Sequence, residues 1–275
     1  FELMNDKIFV AYRETQTGLN YAYINSYDAS GNQLATFTIS AYNMSSLERL
    51  DMCVGNNSIY ITYPDLTLYQ RVQKLNEGLV PSGAAVNLAD IGVDNVDKVK
   101  MEYHGNSLFL SVSDIGTTRN CYVYEVNQTL TGPANQVYAT TNNLIAPSAG
   151  YWLMTTADAN TGALYIAVAS GTTSAIDNLT IIKKNLSNPT AAGAVITEIY
   201  TSTMINEFLM KGSDLIINDA SAGFYRITLN TGYARLINTN LDPNNTSRNY
   251  SSFGVDMKGR FWSFSLSDFK ELVNI

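Results

Sequence analysis

The sequence predicts an all-β protein, and three observations favour that fold class. Only 15% of the 275 residues are charged, whereas 45% are hydrophobic, and the chain contains 18 Tyr and 10 Phe. This blend of aromatic, β-branched and small polar residues suits half-buried strands. Helical periodicity is essentially absent, apart from a few turns near residues 45–50. One hairpin pattern also recurs six times along the chain.

The recurring pattern is a tight turn followed by a strand that alternates apolar and polar residues. The turns contain Gly or Asn, which tolerate the positive φ that two-residue hairpins demand. We define the first apolar residue after each turn as the anchor of that repeat. The anchors are Ile8, Ile59, Leu108, Leu164, Leu215 and Phe261, separated by 51, 49, 56, 51 and 46 residues. Such regular spacing indicates an internal structural repeat.

Each repeat predicts four strands. An apolar strand such as "RLDMCV" comes first, followed by an alternating strand such as "SIYITY", a third such as "LYQRVQKLN", and a weaker fourth such as "QLATFTIS". Four strands in about fifty residues are typical of a β-propeller blade. The whole chain therefore resembles the β-propeller superfamily, and most closely its six-bladed members. It has no Trp-Asp blade ending, kelch Gly-Gly pair or sialidase box, so the resemblance assigns no catalytic residue.

The resemblance implies one domain, 1–275, in which blades stack because a single meander cannot bury both of its apolar faces. The first strand of each blade would line a central channel. The last blade lacks an obvious fourth strand, so either it has three strands or residues preceding Phe1 close the ring. A β-sandwich is the alternative, but its strands would not form six matched groups. The expected blades are 1–44, 45–93, 94–145, 146–203, 204–245 and 246–275.

Charge and hydropathy limit the partners and the location. The net charge is −7 and the pI is about 4.7, which argues against nucleic acid and anionic membrane surfaces. No apolar run approaches the 18 residues of a membrane span, so we expect no membrane insertion. Surfaces that are rich in amides and poor in charge are typical of secreted bacterial proteins. We therefore expect an extracytoplasmic protein, either secreted, periplasmic or surface-attached. The opening Phe1 fits a trimmed product.

The cysteines and the single histidine exclude several kinds of site. Cys53 and Cys121 are far apart and have no Cys-x-x-Cys spacing, so we expect two buried thiols, with a disulfide as the alternative. His104 is the only histidine, which excludes a metal centre with several histidine ligands. Its place beside Gly105 predicts an ordinary turn residue.

Carboxylates are the remaining candidates for chemistry. The predicted inner strands carry Asp51, Glu102, Glu207 and Asp256, with Lys100 at the position equivalent to Asp51 and Glu207. Two inward carboxylates could hydrolyse a glycosidic bond, and three or more oxygens could hold Ca²⁺. The alternative function is therefore a carboxylate- or calcium-dependent hydrolase or lyase with its site at the channel. In the simpler interpretation, Lys100 pairs with one carboxylate and no cofactor is bound.

Two Asp-containing segments predict turns. The segment "DANTGAL", residues 158–164, begins like a calcium loop but lacks the later bidentate Glu. An Asp that bonds its own turn, followed by Gly at positive φ, is the simpler interpretation. The segment "YDASGNQ", residues 27–33, predicts the same device.

The loops at one end of the blades are expected to form a ligand-binding face. Loops on a rigid scaffold are where binding residues concentrate. Several Asp, Arg and Tyr side chains there could hold sugar hydroxyls or a peptide. The leading prediction is therefore a non-enzymatic binding protein for a protein or carbohydrate ligand, and a purely architectural module is a further alternative. The candidate binding residues are Arg13, Tyr63, Asp65, Asp114, Arg119, Asp219, Arg248 and Tyr250.

Overall fold

A computed structural model gives the architecture of the chain. It describes residues 1–16, 19–42, 50–65, 69–114, 119–142, 153–172, 175–199, 205–219, 223–237, 250–255, 261–265 and 269–272. These residues form antiparallel sheets, five with four strands and one with three. The all-β prediction is therefore confirmed. The chain divides into two compact units, of which the first comprises 1–115 and 122–139 and the second 116–121 and 140–275.

The first unit holds two complete sheets and most of a third. The first sheet consists of β1 (Glu2–Met4), β2 (Lys7–Gln16), β3 (Leu19–Tyr27) and β4 (Gln33–Tyr42). The second consists of β5 (Asp51–Gly55), β6 (Ser58–Pro64), β7 (Gln70–Asn76) and β8 (Val86–Asn87). The third consists of β9 (Val96–His104), β10 (Ser107–Asp114), β11 (Arg119–Asn127) and β12 (Asn135–Asn142). In each sheet the strands are ordered as in the chain, and β5 lies beside both β1 and β9.

The second unit repeats this layout. The fourth sheet consists of β13 (Leu153–Asp158), β14 (Ala163–Thr172), β15 (Ala175–Asn185) and β16 (Ala194–Ile199). The fifth consists of β17 (Ile205–Lys211), β18 (Asp214–Asp219), β19 (Gly223–Thr228) and β20 (Tyr233–Ile237). The sixth consists of β21 (Tyr250–Val255), β22 (Phe261–Ser265) and β23 (Phe269–Leu272). Strand β17 lies beside both β13 and β21. Among the described residues, the sixth sheet thus has three strands.

Each predicted anchor lies at or next to the start of the second strand of a sheet. The turns before the anchors of the first three sheets have positive φ at both central residues, as the hairpin pattern requires. Asn56 and Asn57 have φ of 48° and 53°, and Gly105 and Asn106 have φ of 56° and 71°. The repeat therefore sets the register of these hairpins.

Apolar clusters lie on both faces of the second sheet. Ile59 and Ile61, on one face of β6, pack with Phe9 of the first sheet and are completely buried. Tyr60, on the opposite face, packs with Val99 and other residues of the third sheet. Because β6 is covered on both faces, it carries few charged residues. In the first unit this stacking places β5 beside the first strands of the repeats before and after it, β1 and β9.

One short helical element was not predicted. A 3-10 helix, Leu88–Ile91, follows the second sheet. The side chain of Asn87 accepts a hydrogen bond from the Ala89 amide and caps its start, while Gly92 ends it at φ 87°. Leu88 and Ile91 are buried in the apolar cluster beside the third sheet. Burial of these two side chains therefore holds the turn in place.

Candidate functional site

Equivalent positions on the first strands carry charged residues in three of the sheets. In the strand register, Asp51 pairs with Thr62, Lys100 with Ser111 and Glu207 with Asn218. Each of these partners lies on the second strand of its sheet, three residues after the anchor of that repeat. The predicted equivalence of Asp51, Lys100 and Glu207 is therefore confirmed by the strand register. The structure brings Asp51 and Lys100 together within the first unit.

Asp51 joins β5 to β9. Its Oδ1 lies 3.1 Å from the Lys100 Nζ, and its Oδ2 accepts a hydrogen bond of 2.5 Å from the Met101 amide. The side chain of Asp51 is only 11% exposed and that of Lys100 is 20% exposed. A half-buried carboxylate that accepts from both an ammonium and a backbone amide is strongly held. Asp51 thus has a structural role at this edge of the two sheets.

Glu102 and His104 form a second pair along β9. The Nε2 of His104 lies 2.9 Å from the Oε2 of Glu102. His104 is the last residue of β9 and pairs with Ser107, so the turn consists of Gly105 and Asn106 alone. The prediction that His104 is a turn residue was therefore wrong. The two-residue turn leaves His104 in the strand, on the same face as Glu102.

Glu2 and Cys53 also belong to this cluster, and the sequence analysis did not select them as site residues. Burial raises the pKa of Glu2 to about 8, while the Lys100 ammonium opposes the rise and the Glu102 and Asp51 carboxylates add to it. Cys53 is buried, and its pKa is raised well above the usual value by burial and by the same carboxylates. We call Glu2, Asp51, Cys53, Lys100 and Glu102 the inner-strand cluster.

A sequence signal for the missed residues exists. Glu2, Cys53 and Glu102 each stand six residues before the anchor of their repeat, and each pairs with the residue after that anchor. Aligning the first strands by their anchors would have placed Glu2 beside the predicted carboxylates. Both cysteines, Cys53 and Cys121, are buried and unbridged, which confirms the prediction of two buried thiols.

The cluster contains a cation of its own. Lys100 already supplies a positive charge to Asp51, and that charge also acts on Glu2. Among the residues that the structure describes, no group of three or more His, Cys, Asp or Glu side chains is arranged to hold a metal ion. The Ca²⁺ site of the alternative function stays a prediction.

A second polar group lies at the end of the β6–β7 hairpin. The Nε and a terminal nitrogen of Arg71 both lie 2.7 Å from the Oδ2 of Asp65, and the Tyr69 amide donates to the Asp65 Oδ1 at 3.1 Å. Tyr63 is half-buried beside them, and burial raises its pKa. The Tyr69 side chain is 56% exposed. The structure thus brings the predicted residues Tyr63 and Asp65 together and adds Arg71 and Tyr69.

The remaining predicted site residues are placed by their backbones or lie outside the described residues. Arg13 and Tyr63 lie inside strands and not in loops, because these hairpins continue further than the sequence analysis expected. Asp114 and Asp219 end β10 and β18, while Arg119 and Tyr250 begin β11 and β21. Glu207 lies in β17. Arg248 and Asp256 lie outside the described residues. The binding role of these residues stays a prediction.

In the described part of the chain, no helix is both long enough and apolar enough to cross a membrane.

No family model matches the chain, and no curated protein matches it either. Solved structures do match. Sqt1 of Saccharomyces cerevisiae superposes with a TM-score of 0.51 at 11% identity, over 94% of this chain and 76% of its own.

A europium-containing methanol dehydrogenase also has a TM-score of 0.51 at 11% identity, over 94% of this chain. This chain spans 60% of that enzyme's chain. Both structures are β-propeller proteins, and the similarity, with the repeated four-stranded sheets, shows that this chain has a β-propeller fold. At this identity the similarity concerns the fold alone.

Proposed function

We propose that this chain is a non-enzymatic binding protein that acts outside the cytoplasm. In this proposal the sheets are the blades of one six-bladed propeller spanning 1–275, and one of its surfaces holds a protein or carbohydrate ligand. Low charge, many amide side chains and a net charge of −7 support an extracytoplasmic role without nucleic acid. The ring and the location are inferences from the repeat and the composition.

The observation that carries the proposal is the bonding of the inner-strand carboxylates. Asp51 is held by Lys100 and by the Met101 amide, and Glu102 is held by His104. A general acid or base must be able to give or take a proton from a substrate at hydrogen-bond distance. Because these carboxylates are already bonded within the protein, we infer that they have a structural role. A ligand would then bind elsewhere on the protein.

One observation supports a second candidate function. A carboxyl group with a pKa of about 8 is protonated at neutral pH, as a general acid must be, and Glu2 lies within the electrostatic range of Asp51. Two carboxyl groups in unlike environments are the usual requirement for glycoside hydrolysis. The second candidate is therefore a carboxylate hydrolase or lyase that uses Glu2 and Asp51.

A substrate panel distinguishes the two functions. The purified protein is incubated with chromogenic glycosides and lactones, and release of product is compared with that of Asp51→Asn and Glu2→Gln. The binding proposal expects rates no higher than those of buffer for all three proteins. Turnover by the wild type that is lost in both variants, while circular dichroism shows an intact fold, would establish the hydrolase.

A further inference from the structure

The outer edge of the first sheet is formed by β4, the last strand in the order of that sheet. Its ten residues, Gln33–Tyr42, read "QLATFTISAY" and include neither a charged residue nor a proline. Among the described residues, only those of β3 pair with β4. An edge strand presents unpaired backbone N–H and C=O groups on its outer side, and ten residues extend them over about 34 Å. Another strand can therefore still join β4.

Stacking of sheets in a propeller does not close this edge. Neighbouring sheets pack face to face, so they cover the two faces of a fourth strand and leave its outer edge at the rim. The edge of β4 therefore stays open whichever sheet lies against either of its faces.

Other fourth strands carry features by which natural proteins protect the edges of sheets. Strand β8 has only two residues and is followed by the 3-10 helix. Strand β16 contains Glu198, and β20 contains Arg235. Strand β12 is also uncharged, but it has eight residues and begins two positions after Pro133. Of the fourth strands that the structure describes, β4 is thus the longest and the least protected.

The side chains of β4 alternate between two environments. Ala35, Phe37 and Ile39 pack against the apolar cluster that the first sheet shares with the second, whereas Thr36 and Thr38 are exposed. Ile39 is buried, but Ala35 and Phe37 are only half-buried. A strand added beside β4 would cover more of the Phe37 ring, and burial of apolar surface favours association.

We propose that two copies of this chain associate through β4, by antiparallel pairing of the two β4 strands. This inference goes beyond the proposed function and does not rest on it. A two-fold axis at Phe37 sets the register: Phe37 lies opposite its counterpart, Thr36 opposite Thr38, and Ala35 opposite Ile39. Because directly opposite residues lie on the same face, apolar side chains meet apolar ones and threonines meet threonines. The pairing joins the two first sheets into one continuous sheet.

Charge favours a second copy as the occupant of this edge. An edge that receives a charged strand is expected to carry complementary charges, and β4 carries none. Each chain has a net charge of −7, so two copies repel each other at long range, but pairing of uncharged strands adds no like-charge contact. Salt screens the long-range repulsion and should therefore strengthen this dimer, whereas a dimer held by ion pairs is weakened by salt.

Sedimentation equilibrium of the full chain tests the proposal. A contact of one strand with another is small, so we expect micromolar dissociation and a rise from monomer to dimer between about 1 and 200 µM. Thr38→Lys brings two ammonium groups close to the axis and should weaken association at least about tenfold. Ala139→Lys is the matched control, because Ala139 is an exposed residue of the other uncharged fourth strand, β12. Its dimer should dissociate within about twofold of the wild-type value.

Hydrogen exchange of the wild type supplies a measurement that needs no variant. At concentrations where the dimer forms, the outward amides of β4 should exchange more slowly than in dilute protein, and those of β12 should not change. Circular dichroism and the melting temperature show whether Thr38→Lys is folded.

Four results would overturn the proposal. The chain stays monomeric throughout the concentration range, folded Thr38→Lys dimerises as the wild type does, added salt weakens the dimer, or dimerisation slows exchange in β12 and not in β4.

Discussion

Gly55, the last residue of β5, leaves room for an aromatic ring of the neighbouring sheet. A Cβ atom at this position would lie 2.0 Å from the Cγ and Cδ1 of Tyr103. Carbon atoms in van der Waals contact are about 3.5–4.0 Å apart, so the ring must move by about 1.5 Å or more. The Tyr103 ring is stacked on Tyr60 at 5.6 Å, and its hydroxyl donates to the Gln128 side chain at 3.1 Å.

The expected cost of Gly55→Ala follows from these contacts. Overpacking costs about 1–3 kcal/mol, and displacement of the ring weakens an aromatic pair and a hydrogen bond worth about 1 kcal/mol each. Loss of glycine's freedom in the unfolded chain offsets about 0.4–1 kcal/mol. We therefore expect the free energy of unfolding to fall by about 2 kcal/mol.

Urea unfolding followed by circular dichroism measures this change. Gly78→Ala is the matched control, because its Cβ would meet only the Asn76 side chain at 3.4 Å; we expect a change within about 0.5 kcal/mol. In a Tyr103→Ala background, Gly55→Ala should cost nothing, since the ring is gone. Equal costs of Gly55→Ala in both backgrounds would refute the assignment of the clash to Tyr103.

Three further predictions concern the inner-strand cluster and the cysteines. Since the pKa of Glu2 is raised to about 8, the folded state binds one more proton than the unfolded state between about pH 4.5 and 8, and stability falls as pH rises through that window. In Glu2→Gln, the fall in the free energy of unfolding between pH 5 and pH 8, measured by urea unfolding, should be smaller than in the wild type by on the order of 1 kcal/mol. An equal fall in the two proteins would contradict this prediction. Lys100→Met should lower the free energy of unfolding by about 2–4 kcal/mol, because Asp51 loses its partner in a half-buried site. Adding Asp51→Asn to this variant should restore part of the lost free energy of unfolding. Cys53 and Cys121 should resist a disulfide thiol reagent in the native protein and react fully in denaturant, because both are buried; rapid native reaction would contradict that placement.

Much of the fold follows from local sequence signals. Turn residues and alternation fix the hairpins, because positive φ is tolerated by Gly and Asn and because a strand exposes alternate residues to opposite faces. Asp158 behaves as predicted: it accepts from the Asn160 amide and the Thr161 hydroxyl, and Gly162 has φ 64°. Asp28 caps its own turn in the same way, by accepting from the amides of residues 30 and 32.

The site was less predictable, because it depends on contacts between sheets. Lys100 was expected to pair with a carboxylate, but the alternation of β9 alone did not show that its ammonium reaches Asp51 on β5. Glu2 was missed because β1 has only three residues and carries no periodic pattern. Tertiary packing, and not propensity, decides these positions.

Isothermal titration calorimetry with each glycoside of the substrate panel tests most directly whether this chain binds without catalysis. Binding alone predicts heats that decline to the dilution baseline once the protein is saturated. A steady heat flow that continues after saturation and disappears in Asp51→Asn would show turnover of the ligand, and would contradict the account.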